Sequence, residues 1–211
     1  MPDRQLFVIA APSGAGKTSL VKALLEREPK LRVCVSHTTR PQRPKEIDGR
    51  DYHFVDRERF ERMVHADAFL EHAAVFDNFY GTSLGALQNA FGAGFDVVLE
   101  IDWQGAGQVR AKVPGCISIF VLPPSLQALE QRLHSRSTDS PDVIARRLRD
   151  AVTDMAHHVE FDCVVVNDDF DAAVRDLQRI VAAARGPAGV AAADLGPDRA
   201  ALRPLVSRLL G

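Results

Sequence analysis

The sequence predicts an α/β fold, a parallel β-sheet covered by helices. Two observations predict it. Short apolar runs without alternation recur along the chain, as strands buried on both faces should, and helical stretches separate them. The first run leads at once into a glycine-bearing loop and a helix, in "VIAAPSGAGKTSL".

The first strand is expected at residues 6–10 and the first helix at 17–26, with further strands at 32–35, 97–101, 117–122 and 163–166. Between residues 36 and 83 the texture changes to strands at 52–55 and 69–76 around a helix at 57–65 that Asp56 would cap, a small mixed α/β insertion. A second insertion, 125–159, is mostly helical. Ser125 opens one helix, Ser140 with Pro141 opens another, and "SRSTDS" between them has turn composition and is expected to be mobile. The core is then 1–35, 84–124 and 160–185. The tail, 186–211, is rich in Ala, Gly and Pro and reads as a linker, ending in a short amphipathic helix interrupted at Pro204.

At 211 residues, 46% hydrophobic and 26% charged, the chain has ordinary globular composition. A formal net charge of −2 gives no global footprint for nucleic acid or anionic membrane. Basic charge is local instead, at residues 40–50 and 132–149. No apolar run approaches a membrane span and the N-terminus lacks signal-peptide design, so a cytoplasmic protein is expected. Cys34, Cys116 and Cys163 lie in expected strands without a C-x-x-C pair, which favours buried thiols over disulfides or zinc.

The loop Ala11, Pro12, Ser13, Gly14, Ala15, Gly16, Lys17, Thr18 fits G-x-x-x-x-G-K-[ST], with Ala11 in place of the first glycine. Its strand–loop–helix context marks the fold as the P-loop NTPase type. Backbone N–H groups from Ser13 to Thr18 would wrap polyphosphate oxygens, helped by the helix dipole. Gly14 and Gly16 let the backbone come that close, Lys17 would reach the β- and γ-phosphates, and the Thr18 hydroxyl would ligate Mg²⁺. Further on, "DVVLEIDWQG" ends a buried strand with Glu100 and Asp102. Either carboxylate would hold Mg²⁺ through water, or one would face an acceptor instead.

The segments "SHTTRPQRP", "DYHF", "FLEHAAVFDNFYGTS", "EIDWQG" and "VNDD", in that order, closely resemble the guanylate kinases, over about residues 4–185. The resemblance implies one guanylate kinase-like domain that transfers the ATP γ-phosphoryl group to GMP and dGMP with Mg²⁺, in purine nucleotide metabolism and GMP recycling. The 36–83 insertion would bind GMP and the 125–159 insertion would be a lid. Carried over residue by residue, Arg40, Arg43, Tyr52 and Tyr80 match the residues against the acceptor phosphate. Glu71 matches the guanine reader, assisted by Ser36, Thr82 and Asp102. Arg132, Arg136 and Arg147 match the lid arginines, although Ser135 and Ser137 flank Arg136 where family members commonly have glycines. Asn167 matches an adenine contact.

These assignments make physical sense. Guanidinium forks suit a phosphate dianion. Guanine offers N1–H and N2–H₂ together, so its reader must be an acceptor pair, and adenine would leave that pair unmatched. An acceptor that is already an anion needs no general base, which leaves positioning and charge stabilisation as the catalytic means.

Taken singly, Glu71 would read as a surface glutamate, and Arg40 and Arg43 as a solvated loop. Lys45, Glu46, Asp48 and Arg50 read as solvated charge, Arg146 and Arg149 as a solvated helix face, and Trp103 as packing. Asp168 or Asp169 would cap the helix that follows. His157 and His158 are adjacent on a helix and cannot chelate one metal. The competing readings are a sugar-phosphate kinase, which needs no guanine reader, and a phosphopeptide-binding module, which typically loses parts of the phosphate loop. A GTPase switch would show N-K-x-D, and this sequence does not contain it. Homo-oligomerisation is left open.

Overall fold

The computed structural model describes residues 4–75, 77–135, 140–186 and 199–211. Strand β1 (Leu6–Ala10), five consecutive buried residues, leads through the loop to helix α1 (Lys17–Arg27). Then follow β2 (Leu31–Val33), β3 (His37–Thr38), β4 (His53–Phe54), α2 (Arg57–His65), β5 (Phe69–Val75), β6 (Asn78–Ser83), α3 (Leu84–Gly92) and β7 (Asp96–Glu100). The chain continues with α4 (Trp103–Lys112), β8 (Ile117–Leu122), α5 (Leu126–His134), α6 (Pro141–Ala156), a 3₁₀ turn (His157–Glu160), β9 (Cys163–Val166), α7 (Phe170–Ala184) and α8 (Arg199–Leu210).

The strands form a five-stranded sheet of order β2-β7-β1-β8-β9 and a four-stranded sheet of order β4-β3-β6-β5. In the first, β2 runs parallel to β7 and β8 parallel to β9, as the unalternating apolar runs predict. The chain divides into two compact units, Met1–Val8 with Pro29–Cys116 and Ile9–Glu28 with Ile117–Gly211.

In the first unit the second sheet is mainly antiparallel: β5 and β6 form a hairpin with a register shift between Phe69 and Glu71, and β3 joins β6. Phe60 of α2 stacks on Phe69 and Phe79 at 4.7 and 5.5 Å, and each fully buried phenyl ring contributes about 2–3 kcal/mol. The expected strand 32–35 ends at Val33, although the Cys34 N–H still donates to Val98 O at 3.1 Å. The chain then leaves that ladder, and His37 pairs with Gly81 and His53 in the other sheet. The expected strand 69–76 is observed to Val75; Phe76 lies outside the described residues.

In the second unit, α7 buries Ala173, Val174, Leu177, Ile180 and Val181, the stripe of an amphipathic helix. Ser125, Ser140 and Asp169 cap α5, α6 and α7, which settles the choice between Asp168 and Asp169. The tail helix corrects an expectation, since Pro204 lies inside a continuous α8 rather than interrupting it. Proline removes one hydrogen bond near the first turn, while Leu202 and Leu209 are buried on one face. Arg199 donates to the Val159 and Phe161 carbonyls, fixing the start of α8. The expected mobile segment between Ser135 and Ser140, and the linker after Gly186, lie outside the described residues.

Cys34 and Cys163 are buried and Cys116 is half-buried, none of them bridged. Burial, and secondarily the Glu71 charge, raises the Cys34 thiol to about 11; burial, with Asp162 second, raises Cys163 to about 12.

His37 sits buried in β3, tilted against His53 at 4.7 Å and edge-on to Phe69 at 5.6 Å. Its Nδ1 has no hydrogen-bond partner among the described residues. Burial, then the His53 and Arg59 charges, lowers it from 6.5 to about 4, with Asp48 opposing. The folded chain therefore keeps His37 neutral where an unfolded chain takes up a proton. Its share of stability is intact above about pH 6.5 and is lost as pH falls toward about 4. In His37→Phe, the stability lost between pH 7 and pH 4.5 in urea unfolding should shrink by about 2 kcal/mol.

Candidate functional site

The loop of residues 11–18 belongs to the second unit. Gly14 (φ 90°) and Gly16 (φ 93°) take left-handed backbone that other residues rarely adopt. Neighbouring side chains use the space they leave. A β-carbon on Gly14 would lie 3.0 Å from Leu129 and Leu133 of α5, and one on Gly16 would collide with Asn167 Nδ2. Asn167, 4% exposed at the end of β9, donates from Nδ2 to Ala15 O at 2.7 Å. Arg132 donates to the same carbonyl at 3.3 Å and to Asn167 O at 3.0 Å. The loop is thus held from outside by an amide and a guanidinium that share one backbone carbonyl.

Ala11 is half-buried and Pro12 accepts from the Ala15 N–H at 3.2 Å, a tight turn that Ala11 leaves undisturbed. Ser13 is half-buried, and Lys17 and Thr18 open the first turn of α1, with Thr18 exposed. That places an amine and a hydroxyl at a positive helix end. Arg147 lies half-buried on α6; Arg136 lies outside the described residues.

The other expected residues belong to the first unit. Ser36 Oγ lies 3.0 Å from Thr82 Oγ1, and Thr82 donates to Glu71 Oε1 at 2.6 Å. Because the Thr82 proton is committed to the carboxylate, Ser36 is the donor to Thr82. All three are buried, Glu71 at 2% exposure and Thr82 at 0%. The second carboxylate oxygen rests on α4, where a β-carbon on Gly105 would overlap Oε2 of Glu71 and lie 3.3 Å from Asp102 Oδ1. Glycine at this point of the helix is a steric requirement. Asp102 caps α4, accepting from the Gly105 N–H at 2.8 Å, a role its sequence position alone did not reveal.

Arg40, Arg43, Tyr52 and Tyr80 are also brought together. Tyr52 and Tyr80 meet edge-on at 5.8 Å, and the Arg40 guanidinium lies 5.5 Å from the Tyr52 ring and 5.7 Å from Phe54. Glu46 corrects an expectation. Its carboxylate accepts from Arg40 Nη2 at 2.7 Å and from the Arg43 backbone N–H at 2.8 Å. Its side chain is 17% exposed, so it is an organiser of both arginines rather than solvated charge. Burial opposes the charge on each partner, and their mutual hydrogen bond prevails, raising Arg40 and lowering Glu46. Asp48 is exposed, as expected, and its Oδ1 also accepts from the Phe54 N–H at 2.9 Å. Lys45 is exposed, and Arg50 pairs with Asp51 at 3.0 Å on the surface.

Burial, then the Glu100 charge, pushes the Tyr52 hydroxyl up, so it stays a neutral donor. A cavity of about 30 Å³, enough to admit water, is lined by residues that include Cys34, Ser36, Tyr52 and Glu100. Among the described residues no group of three or more His, Cys, Asp or Glu side chains could hold a metal ion. Likewise no described helix is long and apolar enough to cross a membrane.

The guanylate kinase family model matches residues 3–184. The chain belongs to the guanylate kinase family. It is 57% identical over 181 residues to guanylate kinase of Methylococcus capsulatus, covering 86% of this chain and 89% of that one. The Escherichia coli (strain K12) guanylate kinase is 51% identical over 187 residues, covering 88% and 90%. A crystal structure of guanylate kinase from Anaplasma phagocytophilum matches with a TM-score of 0.74 at 33% identity, covering 88% of each chain. The family is one of nucleoside monophosphate kinases, a class of transferase, and its fold is the P-loop NTPase type.

The residues that sequence reasoning passed over are Glu46, Gly105 and the face of α4 that touches β5. Glu46 follows Arg43 by three residues, the one local signal that pointed to it.

Asn167→Ala removes a buried hydrogen bond and leaves the Ala15 carbonyl with Arg132 alone. We expect a loss of about 1–3 kcal/mol in denaturant unfolding. An unchanged midpoint would show that the amide does not support the loop.

Proposed function

We propose that the chain transfers the γ-phosphoryl group of ATP to GMP, and to dGMP, giving ADP and the nucleoside diphosphate. The observation that carries this reading is the buried Ser36–Thr82–Glu71 relay. Thr82 fixes the carboxylate's orientation and spends its own proton on it. A carboxylate, an acceptor pair, suits N1–H and N2–H₂ of guanine. Adenine, with an acceptor at N1 and no 2-amino group, would leave a buried charge unmatched.

The acceptor phosphate goes to Arg40 and Arg43, with Tyr52 and Tyr80 as neutral donors. Arg40 spends Nη1 on Pro41 O and Nη2 on Glu46, which fixes the plane of its fork while leaving further N–H groups for a phosphate. ATP goes to residues 11–18, with Asn167 beside the adenine. Lys17 and the arginines Arg132, Arg136 and Arg147 stabilise the charge that spreads over the transferred group. Mg²⁺ bound with the nucleotide would neutralise β- and γ-phosphoryl oxygens, with Thr18 as its protein ligand. Glu100 or Asp102 would hold its waters, and Asp102 also caps α4.

In this reading residues 36–83 are the acceptor insertion, 125–159 the lid, 186–211 a tail, and the rest the core. The enzyme works in the cytoplasm and takes neither nucleic acid nor membrane as partner.

Purified protein with ATP and Mg²⁺ should release ADP with GMP and dGMP, and at background rate with AMP, UMP, CMP or ribose bisphosphate. Lack of GMP-dependent ADP formation would overturn the reading. In Glu71→Gln, kcat/KM for GMP should fall by about 10²-fold or more while KM for ATP stays within about twofold. Glu46→Ala should raise KM for GMP about tenfold by releasing both arginines. If the carboxylate merely repelled the phosphate, KM would fall instead.

A further inference from the structure

Helix α4 grips strand β5 on either side of Glu71. Gln108 Nε2 donates to His72 O at 2.7 Å, and its Oε1 accepts from His72 N at 3.1 Å. One side-chain amide thus takes both backbone groups of one residue, as a neighbouring strand would. β5 is the edge strand of its sheet, so its outward groups have no strand to pair with. One turn on, Lys112 Nζ donates to Leu70 O at 2.7 Å. Leu70 and His72 are the residues that flank Glu71. The ladder's irregularity lies at the same place, with the register shifting between Phe69 and Glu71. A bulge weakens the pairing that would otherwise fix the strand.

Gly105, Gln108 and Lys112 stand at i, i+3 and i+7, on one helix face. The first gives room to the Glu71 carboxylate, and the other two hold the backbone that carries it. Seating a carboxylate against a glycine Cα needs a fixed distance between helix and strand. These polar bonds span 36 and 42 residues of sequence to supply it.

We infer that Gln108 and Lys112 are positioning residues for base recognition, clamping the chain on both sides of Glu71 so that its carboxylate stays in register with the guanine edge. The inference rests on Glu71 being the guanine acceptor. A role limited to covering a sheet edge would cost stability and leave base selectivity unchanged, and this difference decides the test.

Gln108→Leu, Lys112→Met and the double variant should be assayed in steady state with GMP and with inosine monophosphate, which lacks the 2-amino group. Each single change should raise KM for GMP about fivefold to tenfold, with kcat and KM for ATP within about twofold. The GMP-to-IMP ratio of kcat/KM should fall toward that of Glu71→Gln, and Lys112→Arg should retain most of it. Amide hydrogen exchange at residues 70–72 should quicken in the variants. An unchanged GMP-to-IMP ratio in the folded single variants, whatever their melting temperatures, would overturn the inference. A wild-type protein inactive on GMP would overturn the functional reading itself, a separate outcome. If the double variant does not fold, the single variants carry the decision, since each removes contacts at a solvent-accessible face.

Discussion

A carboxylate held at 2% exposure is the constraint around which the first unit is arranged. Taking such a charge out of water costs several kcal/mol unless dipoles replace the lost hydration. The replacement is built from three elements of the chain. Ser36, just ahead of β3, and Thr82 in β6 supply hydroxyls in series, and Gly105 in the first turn of α4 leaves room for the second carboxylate oxygen. Each contribution depends on backbone register. Thr82 pairs with Glu71 across the hairpin, and the next residue, Ser83, caps α3. A slip of one residue would exchange the hydroxyl that binds the carboxylate for a capping one.

The loop of residues 11–18 follows a different logic. Its own residues are small and carry little side-chain information, so its shape comes from what surrounds it. Leu129 and Leu133 occupy the space left at Gly14, Asn167 the space left at Gly16, and Arg132 joins Asn167 at the Ala15 carbonyl. An anion-binding loop needs its N–H groups pointed inward together. Fixing its outward carbonyl is one way to achieve that without crowding the concave side. Arg132, expected above the phosphates, thereby has a structural job as well.

The parts legible in the sequence were those governed by local pattern. β1, β8 and β9 fall on the expected residues because an unbroken apolar run has few alternatives in a buried sheet. Capping residues fixed the starts of α2, α5 and α6 in the same way. What escaped depends on partners distant in sequence or on context. The two-residue strand β3 exists through pairing and has no periodicity of its own, whereas β4 falls inside the strand expected at 52–55. Glu46 looked solvated because its neighbours are charged, yet those neighbours are what bury it. Pro204 looked like a break because local propensity was weighed without the burial of Leu202 and Leu209. Gln108 and Lys112 gave no signal at all, since their role exists once α4 lies against β5.

The three thiols give the molecule an ordered chemical reactivity. A thiol attacks an alkylating reagent as its thiolate, and both Cys34 and Cys163 are buried with that form suppressed, at about 11 and about 12. Cys116, half-buried just ahead of β8, is the one a reagent can approach in the folded chain. A single fluorophore or spin label can therefore be attached without engineering the other two away. Slow modification beyond that first equivalent then clocks opening at the two buried thiols, Cys34 and Cys163.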